Sequence, residues 1–365
     1  MKVTFPHMGN LYIVVRALLE ELGLEVVVPP ACSKRTLTLG ARHSPEFACL
    51  PLKVNLGNYM EAAERGADTI LMAGGVGPCR FGYYAEIQRE ILKDLGYEYE
   101  MVVLEPPDQH FSEVLAKIRY LTGRRSWKEI FKALRLAWWK ALAVDRVERR
   151  VQYLRPREEA TGRVDEIYRK ALGAIDDASG REAIDRAVKQ AEEELNSVPQ
   201  REGPVLKIGI VGEIYTILEP FVNLNMERHL GRLGAEVRRS IYLSEWIDEH
   251  LFFGLLGTGG SRKVKKLAVP HLNSFVGGHG RETVGCTVRF AREGFQGVIQ
   301  VAPLTCMPEI VAHSILPGVG RQENIPVMTF YVDEQSGEAG IVTRLEAFLD
   351  LVGRSNYKEI GLVQG

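Results

Sequence analysis

Five cysteines, at positions 32, 49, 79, 286 and 306, are the residues of this chain best suited to chemistry, and three of them share a setting. CLPLK at Cys49, GPCRFG at Cys79 and TCMPE at Cys306 each place a thiol where a parallel strand is expected to hand over to a helix. A thiol there lies at the carboxyl edge of a sheet, where open α/β folds bind ligands, and at a helix N-terminus, whose dipole favours thiolate, the form that ligates metal. Cys79 follows Gly74, Gly75 and Gly77, which allow close backbone approach. Cys306 precedes Pro308, suited to a first helical turn, and Glu309, suited to the positive helix end. Cys49 stands in the same way before Pro51 and Lys53. The ordinary fate of a free cysteine is to be a small buried hydrophobe. That reading is preferred for Cys286 in GCTVRFA, expected to begin a helix that packs on a sheet, while Cys32 in PPACSKRT suits either role.

Structural zinc announces itself by paired CxxC or CxxH spacing, which the sequence lacks. Isolated cysteines converging from separate loops can instead hold iron and sulfur. Three thiolates around a four-iron cluster leave one iron open to water, substrate or a fourth residue, with Cys32 and Cys286 as candidates to close it. Lys53, Arg80 and Glu309, each within a turn of an expected ligand, are candidates to tune the charge of such a site or receive a substrate anion, with surface salt bridges as the alternative. Glu213 and Tyr215, at the carboxyl edge of KIGIVGE, read as a proton donor or as cap and packing residues. His7, His110, His271 and His279 are loop candidates without metal-type spacing. GTGGSRK at Gly257–Lys263 lacks the spacing of a P-loop, so no ATP site is expected in this chain.

The elements that must position these residues fall into three regions. Residues 1–107 alternate strand and helix: KVTFPHMG, a helix across Ile13 to Leu22, EVVVPP, a helix after Cys49, TILMAG, a helix after Cys79, and EMVVLEPP with its terminal prolines. Residues 203–365 repeat the scheme with KIGIVGE, a helix across Val222 to Leu233, EVRRSIYL, a helix after Cys286, GVIQVAP, a helix after Cys306, and PVMTFYVDE. Overlaying AAERGADTILMAGGVGPC on FAREGFQGVIQVAPLTC sets Cys79 on Cys306 and, with a gap, brings Cys49 near Cys286. Two parallel-sheet lobes related by a pseudo-twofold, facing each other across a cleft, are expected.

Residues 108–202 carry helix formers instead, and form the expected helical insertion. Trp127, Ile130, Phe131, Leu134, Trp138 and Leu142 recur at helical spacing, and Gly162 and Gly180 lie near the joins to further helices. Lys117–Arg157 is strongly basic and Glu158–Glu202 acidic. These read as solvated faces that partly neutralise each other, with a protein docking surface as the alternative. With 46 basic and 47 acidic side chains the whole chain is nearly neutral, and no nucleic-acid reader motif is present, so a nucleic-acid partner is not expected. At 365 residues, 45% of them hydrophobic, the chain is long enough for two ordinary domains. It has no membrane-length apolar run, and Met1 leads straight into KVTF, so a cytoplasmic location with reduced thiols is expected.

EFACLPLK, GGVGPCRFGYY, VGEIYTILEPFVNLNMERHL, EGFQGVIQVAPLTCMPE and DEQSGEAGIVTRLEAFLD together resemble the 2-hydroxyacyl-CoA dehydratase and benzoyl-CoA reductase superfamily. The resemblance is closest to its stand-alone members, known only as relatives of the dehydratase activase, and covers both lobes. It implies an α/β fold of two flavodoxin-like (Rossmann-like) lobes holding one 4Fe-4S cluster, with Cys49, Cys79 and Cys306 as ligands. It also implies a partner, a homodimeric ATP-hydrolysing activator of the sugar kinase, heat-shock protein and actin superfamily, which drives a low-potential electron into the dehydratase or reductase. The better characterised relatives use that electron for radical chemistry on an acyl-CoA or for reducing an aromatic ring. This chain is shorter, stands alone where they pair two subunits, and has too few cysteines for a six-thiolate double cluster. No CoA-binding motif is recognisable.

The expected function is therefore an iron–sulfur, reductase- or dehydratase-like radical enzyme component fed by a separate activator, working as a homodimer on a small-molecule or acyl-CoA substrate. A non-catalytic electron-transfer or cluster-carrier protein is the second reading, and a zinc-stabilised scaffold the third.

Overall fold

Two four-stranded, all-parallel sheets carry the chain in the computed structural model, which describes residues 1–75, 77–104, 111–123, 125–251 and 260–362. The first holds β1 (Lys2–Thr4), β2 (Glu25–Val26), β3 (Thr69–Ala73) and β4 (Glu100–Leu104) in the order β2-β1-β3-β4. The second holds β5 (Leu206–Gly212), β6 (Ala235–Arg239), β7 (Gly297–Pro303) and β8 (Val327–Val332) in the order β6-β5-β7-β8. The permutation is the same, and it is how a flavodoxin-like sheet begins. TILMA and GVIQVAP are apolar runs rather than alternating ones because β3 and β7 are central strands covered on both faces.

Around the first sheet lie α1 (Leu11–Glu21), α2 (Lys34–His43), α3 (Leu50–Ala63), a 3-10 turn at Arg80–Tyr83 and α4 (Tyr84–Asp94). Between the sheets in sequence come α5 (Phe111–Thr122), α6 (Trp127–Leu154), α7 (Arg163–Asp177) and α8 (Arg181–Asn196). The second sheet carries α9 (Ile214–Leu218), α10 (Met226–Arg232), α11 (Leu243–Leu251), α12 (Ser261–Ala268), α13 (Gly280–Arg292), α14 (Met307–Gln322) and α15 (Glu338–Leu362). Among the described residues, no helix is long and apolar enough to cross a membrane. The terminal prolines of EMVVLEPP, His110, the boundary after residue 107 and the start of Gly257–Lys263 lie outside the described residues.

Four sequence expectations need correction. Cys49 does not stand where a strand hands over to a helix: α2 precedes it, and the thiol lies in the short link between α2 and α3. The helix across Val222 to Leu233 is shorter, because Leu224 and Asn225 take positive φ and α10 starts only at Met226. Cys286 does not begin a helix: α13 starts at Gly280 and carries Cys286 inward, into a cluster with Val211, Val264 and Phe290. The bulky stripe of α6 is buried only in part. Ile130 is buried and Leu134 and Trp138 pack against apolar clusters, but Trp127 and Phe131 are exposed, and the buried face continues through Ala133, Ala137, Ala141, Val144, Val147 and Val151. Alanines let α1 lie close along α6, and Val14 packs there with Ala137 and Ala141. The basic and acidic helix faces do neutralise each other in part, as Arg146 of α6 pairs with Glu192 of α8 at 2.6 Å.

The apolar cores cross the lobe boundaries. Met8, Leu50 and Val54 share one cluster with Ile210, Tyr215 and Val301 of the second half. Ile13 joins the interior of α6, α7 and α8.

Candidate metal centre

Cys49 is the N-cap of α3, Cys79 that of the 3-10 turn, and Cys306 that of α14, with Pro51 and Pro308 in the first turns of the two α-helices. The turn after Cys79 delays the α-helix that was expected to follow it directly. Arg80 ties the three segments together. Its guanidinium donates to Phe47 O at 2.9 Å, to Thr305 O at 2.6 Å and to Thr305 Oγ1 at 2.9 Å, and Thr305 Oγ1 donates to Phe47 O at 3.3 Å. Thr305 needs this hold. It has φ of +72°, which for a β-branched residue costs on the order of 1–3 kcal/mol and persists only where neighbours enforce it. The loop before α13 closes on the same place: a Cβ on Gly277 would stand 2.9 Å from Cys79 N.

One carboxylate addresses all three thiols. Glu213 caps α9, accepting from Tyr215 N at 3.0 Å, Thr216 N at 2.9 Å and Thr216 Oγ1 at 2.8 Å. Burial is the main cause that raises the thiols, Cys49 to about 11 and Cys79 and Cys306 above their ordinary value; the charge of Glu213 pushes each further in the same direction. Arg80 opposes it at Cys49 and Cys79. Burial thus outweighs the helix-terminus effect expected from sequence, and without a cation these groups are protonated. A bound metal inverts that balance, because a coordinating thiol is deprotonated outright. The charge of Cys79 acts on Cys49 and that of Cys49 on Cys306, so neighbouring thiols lie within electrostatic reach of one another. All five cysteines are free thiols, and Cys49 Sγ lies in close contact with the Tyr84 hydroxyl. Three free thiols on separate caps, with the Gly277 backbone close to Cys79, are donors of the kind an iron–sulfur group takes.

The other candidates take different places. Lys53 is buried, its Nζ 2.5 Å from Glu334 and donating to Glu46 O at 2.9 Å, so it joins α3 to the segment after β8. Glu309 is fully buried, accepting from Thr283 Oγ1 at 3.0 Å and Gln300 Nε2 at 2.8 Å, and burial pushes its carboxyl up to about 7. None of Lys53, Arg80 and Glu309 is a surface salt bridge. His279 is the N-cap of α13 and so occupies in the second half the position that Cys49 occupies in the first; the gap in the sequence overlay concealed this. Cys286 lies further along the same helix.

Cys32 is drawn into a second cluster. Its Sγ lies 3.7 Å from His7 Nδ1, 3.6 Å from Asn58 Oδ1 and 3.8 Å from the Tyr215 hydroxyl. His7 Nδ1 is 2.8 Å from Glu219 Oε2, and ligand atoms of His7, Cys32 and Glu219 all lie within 4.8 Å of one another. Glu219 has no sequence signal of its own. His7 and Cys32 each follow an apolar strand run at its carboxyl end, and that shared position is the one clue the sequence offered.

Residues 6–73 match the family described as CoA enzyme activase uncharacterised domain (DUF2229). The matched segment contains His7, Cys32, Cys49 and Lys53 and ends before Cys79 and Cys306. No curated protein matches the chain. The matched segment is therefore similar to a CoA enzyme activase domain, in general accord with the activase and dehydratase superfamily that the sequence resembles.

Proposed function

We propose that this protein holds one 4Fe-4S cluster between its two sheets on Cys49, Cys79 and Cys306, and acts as the reductase- or dehydratase-like component that accepts a low-potential electron from a separate ATP-dependent activator. The observation that supports the reading is that three free thiols, each at an N-cap, all lie within reach of the charge of Glu213. A cluster bound there supplies one-electron chemistry and, at an iron without a protein thiolate, a Lewis-acid position. The chain's own residues supply the rest. Arg80 and the strained Thr305 hold the caps in register, and Glu213 with its raised carboxyl is placed to take or give a proton beside the thiols.

The surroundings favour a protein partner. Phe47, Tyr83 and Phe275 are 73%, 72% and 62% exposed, and Leu304 and Ile310 flank Cys306 in the same condition. Scattered exposed apolar residues are ordinary, but these five gather round one site, which suits docking of the electron donor. The same collar favours a second reading, a cluster or electron carrier that docks onto another enzyme. An acyl-CoA substrate and a homodimer follow only from the resemblance.

Anaerobic purification with iron and sulfide analysis, followed by electron paramagnetic resonance after reduction, tests the proposal. About four iron and four sulfide per chain are expected. A colourless chain whose zinc depends on Cys306 overturns both readings. Turnover of an acyl-CoA by the chain with its activator separates the enzyme from the carrier.

A further inference from the structure

The cluster formed by His7, Cys32 and Glu219 is built from both halves of the molecule. His7 follows β1 and Cys32 follows β2 in the first half, whereas Glu219 closes α9 in the second. His7 is 9% exposed and Glu219 2%. Each is held by further bonds: Glu219 Oε2 accepts from Gly9 N at 2.7 Å and its Oε1 from Phe221 N at 3.1 Å. Gly9 makes the approach possible, since at φ of +52° a Cβ there would lie 2.2 Å from Leu218 O. Asn58, beside the thiol, is itself fixed by donating to Pro30 O at 3.3 Å.

We propose that His7 Nδ1, Cys32 Sγ and Glu219 Oε2 form a site for one divalent cation of the zinc class, separate from the three-cysteine centre and clamping the two halves together. One imidazole, one thiolate and one carboxylate with a fourth position open is a donor set that zinc accepts, and the sulfur and nitrogen donors disfavour magnesium or calcium. The present separations of 2.8 Å for nitrogen to oxygen and 3.7 Å for sulfur to nitrogen are those of groups that need little movement to share one ion. The proton balance also suits a buried place. The 2.8 Å contact requires a proton on His7 or Glu219, and the Cys32 thiol carries another. The thiol proton leaves to solvent as the dication enters and a neutral imidazole carries its proton on Nε2 rather than Nδ1, so the cation meets two anionic donors and one neutral one. Asn58 and the Tyr215 hydroxyl are the outer groups that orient the sulfur.

The two sites sit at opposite ends of one short helix. Glu213 caps the start of α9 toward the three cysteines, and Glu219 closes it beside His7 and Cys32. The clamp does not depend on the proposed cluster.

The test is calorimetric titration of the full chain with zinc chloride after a competing chelator has removed bound zinc, with iron and sulfide measured on the same samples. One tight site is expected. Cys32→Ser should weaken it by about 100-fold and Glu219→Gln, which keeps the shape of the cap, by at least about tenfold, while Cys79→Ser leaves it within about threefold. Melting of each zinc-free variant near the zinc-free wild type shows that it is folded. Absence of tight zinc binding in the wild type, or binding that survives in both Cys32→Ser and Glu219→Gln, overturns the site. So does zinc that is lost in Cys79→Ser and kept in Cys32→Ser. Failure of the cluster reading shows separately, as absent iron and sulfide.

Discussion

The two sheets are wound in the same order, yet they meet the helical bundle by partly different means. Both share one apolar cluster on α6, where Val14 of α1 and Leu243 and Ile247 of α11 pack with Ala137 and Ala141, and the first half adds a hydrogen bond from Asn10 Nδ2 to Glu148 at 2.6 Å. On the second half α6 brings Glu148 against the buried Arg239, a pair in close contact, while Glu227 reaches Arg239 at 3.7 Å and Gln152 accepts from the Tyr242 hydroxyl. Asp145 of α6 accepts from Leu243 N at 3.2 Å and Ser244 N at 2.8 Å, capping the start of α11. Close packing holds an apolar seam in place, and a buried ion pair adds a penalty for any shift that separates its charges. The second half is thus the one anchored by a buried ion pair. The caps it carries, Cys306 and His279, differ chemically from Cys49 and Cys79 of the first.

The comparison breaks most visibly at the thiols. Cys306→Ser should abolish iron retention as fully as Cys49→Ser or Cys79→Ser does, measured by iron content after anaerobic gel filtration; a retained cluster would mean that the anchored half is not needed. Arg239→Ala leaves Glu148 buried without its cation and should cost about 3–5 kcal/mol in denaturant unfolding, where a loss below about 1 kcal/mol would make the two seams equivalent. Gly57→Ala probes the first half. A Cβ there would lie 1.9 Å from Thr36 O, so α2 and α3 must part, at a cost of about 1–3 kcal/mol by the same measurement.

A pH series sharpens the contrast further. Burial, with the charge of Glu148 adding to it, holds the Asp145 carboxyl above the ordinary aspartate range. Between the ordinary value of about 4 and that raised value the folded state binds the extra proton. This contribution to stability therefore falls as pH rises through the window, by at most about 1.4 kcal/mol per unit, and Asp145→Asn should flatten the slope. Smallest of all, Cys286→Ser should leave iron content unchanged and lower stability modestly, because its thiol packs in a core.

Much of the fold was legible because central strands of a parallel sheet must be apolar on both faces, and TILMA and GVIQVAP say so without ambiguity. Cys79 and Cys306 were legible as caps because glycine or proline beside a thiol marks where a strand gives way to a helix, whereas at Cys49 only the helix start was read correctly, from Pro51, since α2 and not a strand precedes it. The face of α6 was read only in part, because large side chains dominate a periodicity count while small ones decide how closely helices pack. The second cluster was hidden more deeply: His7, Cys32 and Glu219 meet only when both halves are folded and docked, and local spacing carries no trace of that.

Arg80 has a consequence for timing. Its guanidinium rests on Phe47 O and on Thr305, residues that leave the ribosome far apart. The first half can emerge with two of its capping thiols in place, but the third arrives only after the bundle and most of the second sheet have been made. Any cofactor that needs all three must be loaded late, onto a nearly finished chain, and until then Cys49 and Cys79 wait without the third cap and without Glu213.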